Sequence, residues 1–293
     1  ISNEYIEDEL TDAAGTVQFS RDSQSLIYSL LQDDKWRTLS VNVHKLATKQ
    51  STDKVLLSET DESFFLDFYL TSSSDYVVIQ TGNSITNEVS VVSMADLSQV
   101  PRGLNKREQN FLLQVDHGNE HFYLLANDTH TNFRLAKVAD NHAIYDHWQD
   151  VIPGCDTRYI KGMQVFKDYL AVEQSIQGIE SISIMPNHQP SYEICLPEKV
   201  ASVGLGTNPE FTQKHLRIRY QSMITPGSVY DFDIATRTLN MRKVRAVPSG
   251  YDKSQYQTER IMADARHGTK VPVTLVYKKG YNKDGTQPLY LHP

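Results

Sequence analysis

The chain has 293 residues and a mass of 33.4 kDa, and its 36 acidic residues outnumber 29 Lys and Arg residues to give a net charge of −7. This charge argues against non-specific nucleic-acid binding, which needs a basic surface. No apolar run reaches the roughly 18–20 residues that span a bilayer, so no membrane contact is predicted. Two cysteines, Cys155 and Cys195, exclude a disulfide framework or a Cys-rich zinc site. We expect both thiols to be reduced and buried, and one bridge between them is the alternative.

Short apolar runs recur along the chain at nearly equal spacing. Their central residues are separated by 51, 46, 48 and 46 positions and are Ile27, Val78, Leu124, Val172 and Ile218. A period of about 40–50 residues is typical of a β-propeller. The fold class is therefore predicted to be all-β, with few helices; the best helical candidate is residues 94–100.

Each repeat predicts four short antiparallel strands, which is the unit of a propeller blade. The apolar run is the second strand, and an alternating pattern marks the third strand at residues 37–46, 88–94, 132–138, 181–185 and 228–234. The fourth strand is more variable and is assigned to residues 54–58 and 110–115. Five blades then occupy residues 13 to about 248. The residues before Gly15 are interpreted as the last strand of a preceding blade.

The period stops after Pro248. Two longer strands are predicted at residues 257–265 and 271–278, around a turn at residues 266–269. A polar loop follows, and the apolar residues 289–291 are predicted to open a third strand. We interpret this region as the start of a second domain.

Local signatures of nucleophilic catalysis and of phosphate binding are absent from the sequence. A hydrolase elbow needs Gly-x-Ser-x-Gly, whereas Gly227-Ser228 precedes Val-Tyr and is predicted to enter a strand. The ten histidines and many serines could still form a triad in space. The pair Gly204 and Gly206 lacks a third glycine and a following helix, so we interpret it as a bulge or turn.

Metal and charge motifs are equally weak. His117 and His121 are four residues apart, but Gly118 between them favours a hairpin turn over a helical ligand pair. His142 and His147 flank an acidic aromatic segment that we interpret as a loop. The basic stretch at residues 237–245 is interpreted as the exposed face of an outer strand rather than as a partner surface.

The segment at residues 256–278, YQTERIMADARHGTKVPVTLVYK, resembles the junction between propeller and hydrolase domain in the prolyl oligopeptidase family of serine peptidases, in its oligopeptidase B group. The segments at residues 116–123, 219–231 and 248–252 agree with the same group. The resemblance covers nearly the whole chain and is most specific in its last hundred residues.

This resemblance implies a seven-bladed propeller that caps an α/β-hydrolase domain and admits only short peptides. It implies residues 1–252 as a partial propeller and residues 253–293 as the truncated start of the peptidase domain, within a longer, cytoplasmic enzyme that cleaves after Arg or Lys. The family's catalytic Ser, Asp and His lie downstream of Leu291, so no catalytic residue is assigned here. Substrate-binding residues are unknown, and no cofactor or metal is expected.

The expected partners are short, basic peptides and the downstream hydrolase domain. The chain alone is expected to be inactive. Because a five-blade arc leaves apolar faces uncovered, at positions such as Phe19, Phe68 and Phe122, we also expect self-association unless the five blades close into a tighter ring. Two other functions stay open: a stand-alone binding propeller, and the propeller of a related prolyl-specific or dipeptidyl peptidase.

Overall fold

The computed structural model describes residues 8–32, 35–143 and 145–292. These residues form 22 β-strands and four short 3-10 helical turns, at Gln50–Thr52, Asp140–His142, Tyr145–His147 and Lys253–Gln255. The all-β prediction is confirmed. Residues 94–100 form turns and no helix.

Five sheets have four strands each and follow one another along the chain. The first three blades consist of β1 (Ala13–Phe19), β2 (Ser25–Leu31), β3 (Thr38–Lys45), β4 (Lys54–Ser58), β5 (Phe65–Leu70), β6 (Tyr76–Gly82), β7 (Asn87–Ser93), β8 (Arg102–Gly103), β9 (Leu113–Gly118), β10 (His121–Ala126), β11 (Arg134–Ala139) and β12 (Gln149–Ile152). Neighbouring strands in each of these blades are antiparallel and consecutive in sequence.

The remaining strands form two further blades and a separate hairpin. They are β13 (Arg158–Val165), β14 (Tyr169–Ile176), β15 (Ile179–Pro186), β16 (Tyr192–Glu193), β17 (Ala201–Leu205), β18 (His215–Ser222), β19 (Ser228–Asp233), β20 (Thr238–Val244), β21 (Tyr256–Asp264) and β22 (Lys270–Lys278). The predicted hairpin is confirmed. The predicted third strand at residues 289–291 is wrong: these residues pair with no described strand, and their side chains are exposed.

The chain divides into two compact units: residues 1–171 with 210–212, and residues 172–209 with 213–293. In the first unit, an apolar core lies between the second and third blades. It contains Val78, Val89, Leu113, Phe122, Leu124 and Trp148, among others. In the second unit, the buried residues include Ile182, Ile184, Val203, Leu216, Ile218 and Phe232.

The five periodic residues occupy equivalent places. Each lies in the second strand of its blade and is fully buried, and they are Ile27, Val78, Leu124, Val172 and Ile218. In β2, β6, β10 and β14 at least three consecutive residues are buried, as in strands covered on both faces, whereas β18 alternates buried and exposed residues. This burial explains why the period was visible in the sequence.

The fourth strand of the second blade was predicted wrongly. Half of residues 110–115 lie in β9, the first strand of the next blade, and the closing strand is the two-residue β8. Pro101 has no N–H to donate, so it limits pairing at the start of β8. After β8, the side chain of Asn105 takes over the pairing: its Oδ1 accepts from Val89 N at 2.8 Å and its Nδ2 donates to Asn87 O at 2.9 Å.

Two smaller expectations also fail. Residues 8–12 form no strand and lead into β1, the first strand of a blade rather than the last; residues 1–7 lie outside the described part. The two thiols are free as expected, but neither is buried: Cys155 is half-buried and Cys195 is exposed, because both lie in loops.

Candidate functional site

The motifs that the sequence singled out have structural roles. Ser228 opens β19 and is buried, and its Oγ donates to Pro226 O at 2.7 Å, so it is not a nucleophile elbow. Gly206 N donates to Arg217 O at 2.8 Å, and a Cβ added to Gly206 would lie 2.8 Å from Arg217 Cγ. The bulge or turn interpretation is therefore wrong: Gly204 pairs with Arg219 in regular register within β17, and Gly206 continues the same pairing.

His117 and His121 do not converge. Asn119 and Glu120 form a two-residue turn with φ of 53° and 63°, the conformation of a type I′ hairpin turn. In the paired register His117 lies opposite Phe122 and His121 lies opposite Gly118, so the two rings project from opposite faces. Among the residues that the structure describes, no three His, Cys, Asp or Glu side chains are grouped to hold a metal ion.

Ser73, His117 and Asp140 form a Ser–His–Asp arrangement whose histidine is buried. Ser73 Oγ lies 2.8 Å from His117 Nδ1, and Asp140 Oδ2 lies 3.6 Å from His117 Nε2. His117 is 2% exposed, and burial lowers its pKa. The Ser73 hydroxyl also caps its own loop by accepting from Asp75 N at 3.1 Å. The arrangement holds the second and third blades together and gives a substrate no access to the ring.

A buried carboxylate beside it links three consecutive blades. Asp116 in β9 accepts from Ser72 N and Ser72 Oγ at 2.7 Å each, from His117 N at 2.8 Å and from Val165 N at 2.9 Å. Ser72 belongs to the second blade and Val165 to β13 of the fourth. Burial raises the pKa of Asp116 against the effect of these donors. The sequence analysis noted the Asp-His-Gly before the turn as part of the family resemblance. It gave no sign that Asp116 contacts residues of three blades.

The basic stretch at residues 237–245 contains β20, whose side chains are half-buried or exposed. The guanidinium of Arg242 donates to Asp231 Oδ2 at 2.8 Å, and Arg217 donates to Asp231 Oδ1 at 2.8 Å. The hydrogen bonds from Arg217 and Arg242 lower the pKa of Asp231. The outer-strand interpretation is confirmed.

The feature with the clearest functional meaning is the contact between the hairpin and the fourth blade. Arg260, in β21, donates to Gln177 O at 2.9 Å and to Gly178 O at 3.2 Å, at the turn between β14 and β15. Gly178 has φ +75°, and a Cβ there would lie 2.8 Å from Arg260 Nη2. The positive φ therefore favours glycine at this turn, and a larger residue would displace the guanidinium.

The linker before the hairpin is held by aromatic contacts. Tyr251 stacks on Tyr256 with ring centroids 5.6 Å apart, and its hydroxyl donates to Ile224 O at 2.9 Å. On the hairpin itself, Tyr277 donates to Glu259 Oε2 at 2.8 Å, and Lys283 pairs with the same carboxylate. The hydrogen bonds from Lys283 and Tyr277 lower the pKa of Glu259. These contacts position the hairpin and provide no reacting group.

The comparisons with known proteins agree with this geometry. A family model described as the N-terminal β-propeller domain of prolyl oligopeptidase matches residues 1–245. Dipeptidyl aminopeptidase BI of Pseudoxanthomonas mexicana is 29% identical over 290 residues, covering 98% of this chain and 40% of that protein. Protease 2 of Moraxella lacunata is 23% identical over 278 residues, covering 95% of this chain and 40% of that protein. The chain thus spans about two fifths of the length of these relatives.

A likeness to solved structures supports the fold. Oligopeptidase B from Leishmania major superimposes with a TM-score of 0.80 at 24% identity, over 98% of this chain and 42% of that one. Oligopeptidase B from Trypanosoma brucei gives a TM-score of 0.79 at 22% identity, over 95% and 41%. The fold of the chain is therefore a known one.

Proposed function

Because the chain belongs to the prolyl oligopeptidase family through its N-terminal β-propeller domain, we propose that it is the propeller part of a serine endopeptidase that cleaves short peptides after Arg or Lys. The observation that carries the proposal is the extent of the similarity. The family model ends at residue 245, but the alignment with dipeptidyl aminopeptidase BI covers 98% of the chain and so extends into the hairpin.

We propose the domain division on the same ground. Residues 1–252 are the propeller, and residues 253–293 begin a peptidase domain. The rest of that domain, downstream of the hairpin, is the partner of the propeller. The contact of Arg260 with the β14–β15 turn supports this, because it fixes the entrance to that domain against a blade. The propeller would admit short peptides and exclude folded proteins by size.

The chain alone supplies no acyl-transfer machinery in this proposal. Acyl transfer needs an activated nucleophile and donors for the developing oxyanion. Ser228 and Ser73 are the serines that the sequence and the structure singled out, and both are committed to structural hydrogen bonds. We therefore expect residues 1–293 to be inactive and the longer protein to be active.

The test compares the chain with the longer coding sequence that contains it. Both are incubated with a fluorescent diphenyl phosphonate and with N-acylated Arg-, Lys- and Pro-amide substrates. We expect one labelled serine and cleavage after Arg and Lys only in the longer protein. Labelling of residues 1–293 at stoichiometry would overturn the assignment of catalysis to the downstream domain. Size selection is tested with one Arg site placed in peptides of about 10 and about 60 residues; equal cleavage of both contradicts it.

A dipeptidyl peptidase is the second candidate, because dipeptidyl aminopeptidase BI is 29% identical and Protease 2 is 23% identical to this chain. The two activities differ in their need for a free amino terminus. Cleavage of acylated Arg-amides supports the endopeptidase. Cleavage that requires an unblocked dipeptide supports the alternative.

We also propose a cytoplasmic location and self-association of the isolated chain. No helix in the described part of the chain is long and apolar enough to cross a membrane.

On β1, Val17 and Phe19 are about half exposed, and Phe65 at the start of β5 is 69% exposed. Phe68 and Phe122, which were expected on an uncovered face, are buried between blades instead. Light scattering tests self-association; a monomer at high concentration contradicts it.

A further inference from the structure

The first blade contains a histidine that is clamped between two carboxylates. His44 lies in β3 and is 1% exposed. Its Nδ1 is 2.8 Å from Asp53 Oδ1, and its Nε2 is 3.0 Å from Asp8 Oδ1. Asp53 follows a 3-10 turn of the same blade, whereas Asp8 belongs to the segment that precedes β1. The ring therefore joins that segment to the blade.

The protonation state of the ring decides how many of these contacts are hydrogen bonds. An ionised carboxylate only accepts, and a neutral imidazole has one N–H to donate. Both contacts are hydrogen bonds only when the ring is an imidazolium. In the neutral state one carboxylate faces a nitrogen lone pair, and the clamp loses one of its two bonds.

Other contacts hold the same segment and depend on its position. Asp8 Oδ1 also accepts from Ala47 N at 2.7 Å. Gln50 accepts from Thr11 N at 3.1 Å and donates to Thr11 O at 3.0 Å. Residues 8–11, which we call the strap, are therefore fixed to the first blade by one charged clamp and one neutral amide pair. The strap leads into β1. Asp12, between the two, extends the pairing with β2, because its O accepts from Leu31 N at 2.7 Å.

We infer that the strap is a pH-dependent clasp, closed on the first blade while His44 is protonated and loosened when the imidazole becomes neutral. The titratable groups that face the ring are Asp8 from the strap and Asp53 from the connection before β4. Tyr28 from β2 does not contact the ring directly: its hydroxyl donates to Asp53 Oδ2 at 2.9 Å. Lys45 follows His44 in β3 and projects to the opposite face, where it is exposed.

The direction of the pH effect follows from the two groups. Burial opposes the charged ring, but the hydrogen bonds and charges of Asp8 and Asp53 outweigh it and raise the pKa of His44 above about 6.5. The clasp is complete below the unfolded histidine value and is lost as pH rises through the folded one. The hydrogen bond from His44 lowers the pKa of Asp8, so at acid pH the clasp is lost as pH falls through that lower value.

The test measures the ring and the strap separately in residues 1–293. Histidine nitrogen NMR, with His44→Gln for assignment, follows the protonation of both ring nitrogens from pH 5 to 9. Hydrogen exchange, corrected for the intrinsic rate, follows the Ala47 amide over the same range. We expect both nitrogens to be protonated at pH 6 and Ala47 protection to fall about tenfold when the ring is neutralised.

Two variants separate the clasp from general stability. Asp8→Ala is expected to lower the pKa of His44 and to leave the Ala47 amide weakly protected at every pH. His121→Gln, which changes a histidine of the third blade whose Nδ1 contacts Asn119 O, is expected to preserve the wild-type profile. A neutral His44 at pH 6 overturns the inference. So does Ala47 protection that stays constant from pH 6 to 9, or that changes equally in wild type and Asp8→Ala.

Discussion

Asp116 and Arg260, two polar residues that attach one element to another, differ in burial. Asp116 is 8% exposed, accepts four hydrogen bonds and reaches two neighbouring blades. Arg260 is half-buried and donates to two carbonyl oxygens of a surface turn. When a buried acceptor is removed, its donors are left without a hydrogen bond, because water cannot reach them. When an exposed donor is removed, water takes over the hydrogen bonds that it made. A buried carboxylate therefore joins the second, third and fourth blades, while the hairpin is held by contacts that can be exchanged for water.

The strongest test of the buried side of this comparison is Asp116→Ala. Three backbone N–H groups and one hydroxyl lose their acceptor at once, so we expect a loss of about 3–5 kcal/mol in the free energy of unfolding. Urea denaturation measures it. Asp67→Ala is the matched control, because Asp67 is an exposed aspartate of β5 that bonds only its neighbour Phe68 N, and it should cost under about 0.5 kcal/mol. Equal losses in the two variants contradict the anchor role.

Gly178→Ala tests the turn that receives Arg260. An L side chain at φ +75° costs about 1–2 kcal/mol, and its Cβ displaces the guanidinium. Gly250→Ala is the control, because Gly250 has φ +81° with no atom within 4 Å of the added Cβ. We expect similar losses of stability but faster amide exchange in β21 only for Gly178→Ala. Faster exchange in both variants assigns the effect to backbone strain.

Asp231→Asn tests an ion-pair cluster of intermediate burial. Arg217 and Arg242 are half exposed, so solvent screening limits the expected loss to about 0.5–1 kcal/mol at neutral pH. The folded pKa of Asp231 is lowered, so its contribution is present above the unfolded value near 3.9 and disappears as pH falls through the folded one. Stability curves of wild type and variant should converge in acid. A difference that persists there points to packing instead.

The smallest global effect is expected for Arg260→Ala. Two hydrogen bonds to surface carbonyls are replaced by bonds to water, so the free energy of unfolding should change by less than about 1 kcal/mol. Local exchange of the β21 amides should nevertheless accelerate, and Arg260→Lys should restore part of the protection. If Arg260→Ala destabilises the chain as much as Asp116→Ala, the distinction between the buried Asp116 contacts and the exchangeable hairpin contact fails.

The repeat and the hairpin were predictable because each depends on the types of residues that are close together in the sequence. Fully buried central strands need apolar residues at Ile27, Val78 and their counterparts, and the turn between β21 and β22 follows from Arg266 to Thr269. The fourth strand of the second blade was not predictable, because Asn105 replaces strand backbone with a side chain. Nothing local marks an amide that will act in this way.

The sequence by itself determined the blade period, the strand order within each blade and the family, because alternation, turn residues and the junction motif are short-range properties. The tertiary structure alone decided which polar residues matter. Asp116 meets Val165 across 49 positions, His44 meets Asp8 across 36, and Arg260 meets Gln177 across 83. These residues meet because neighbouring blades and loops come together in the folded chain. A periodic pattern in the sequence does not encode a contact between two residues that far apart.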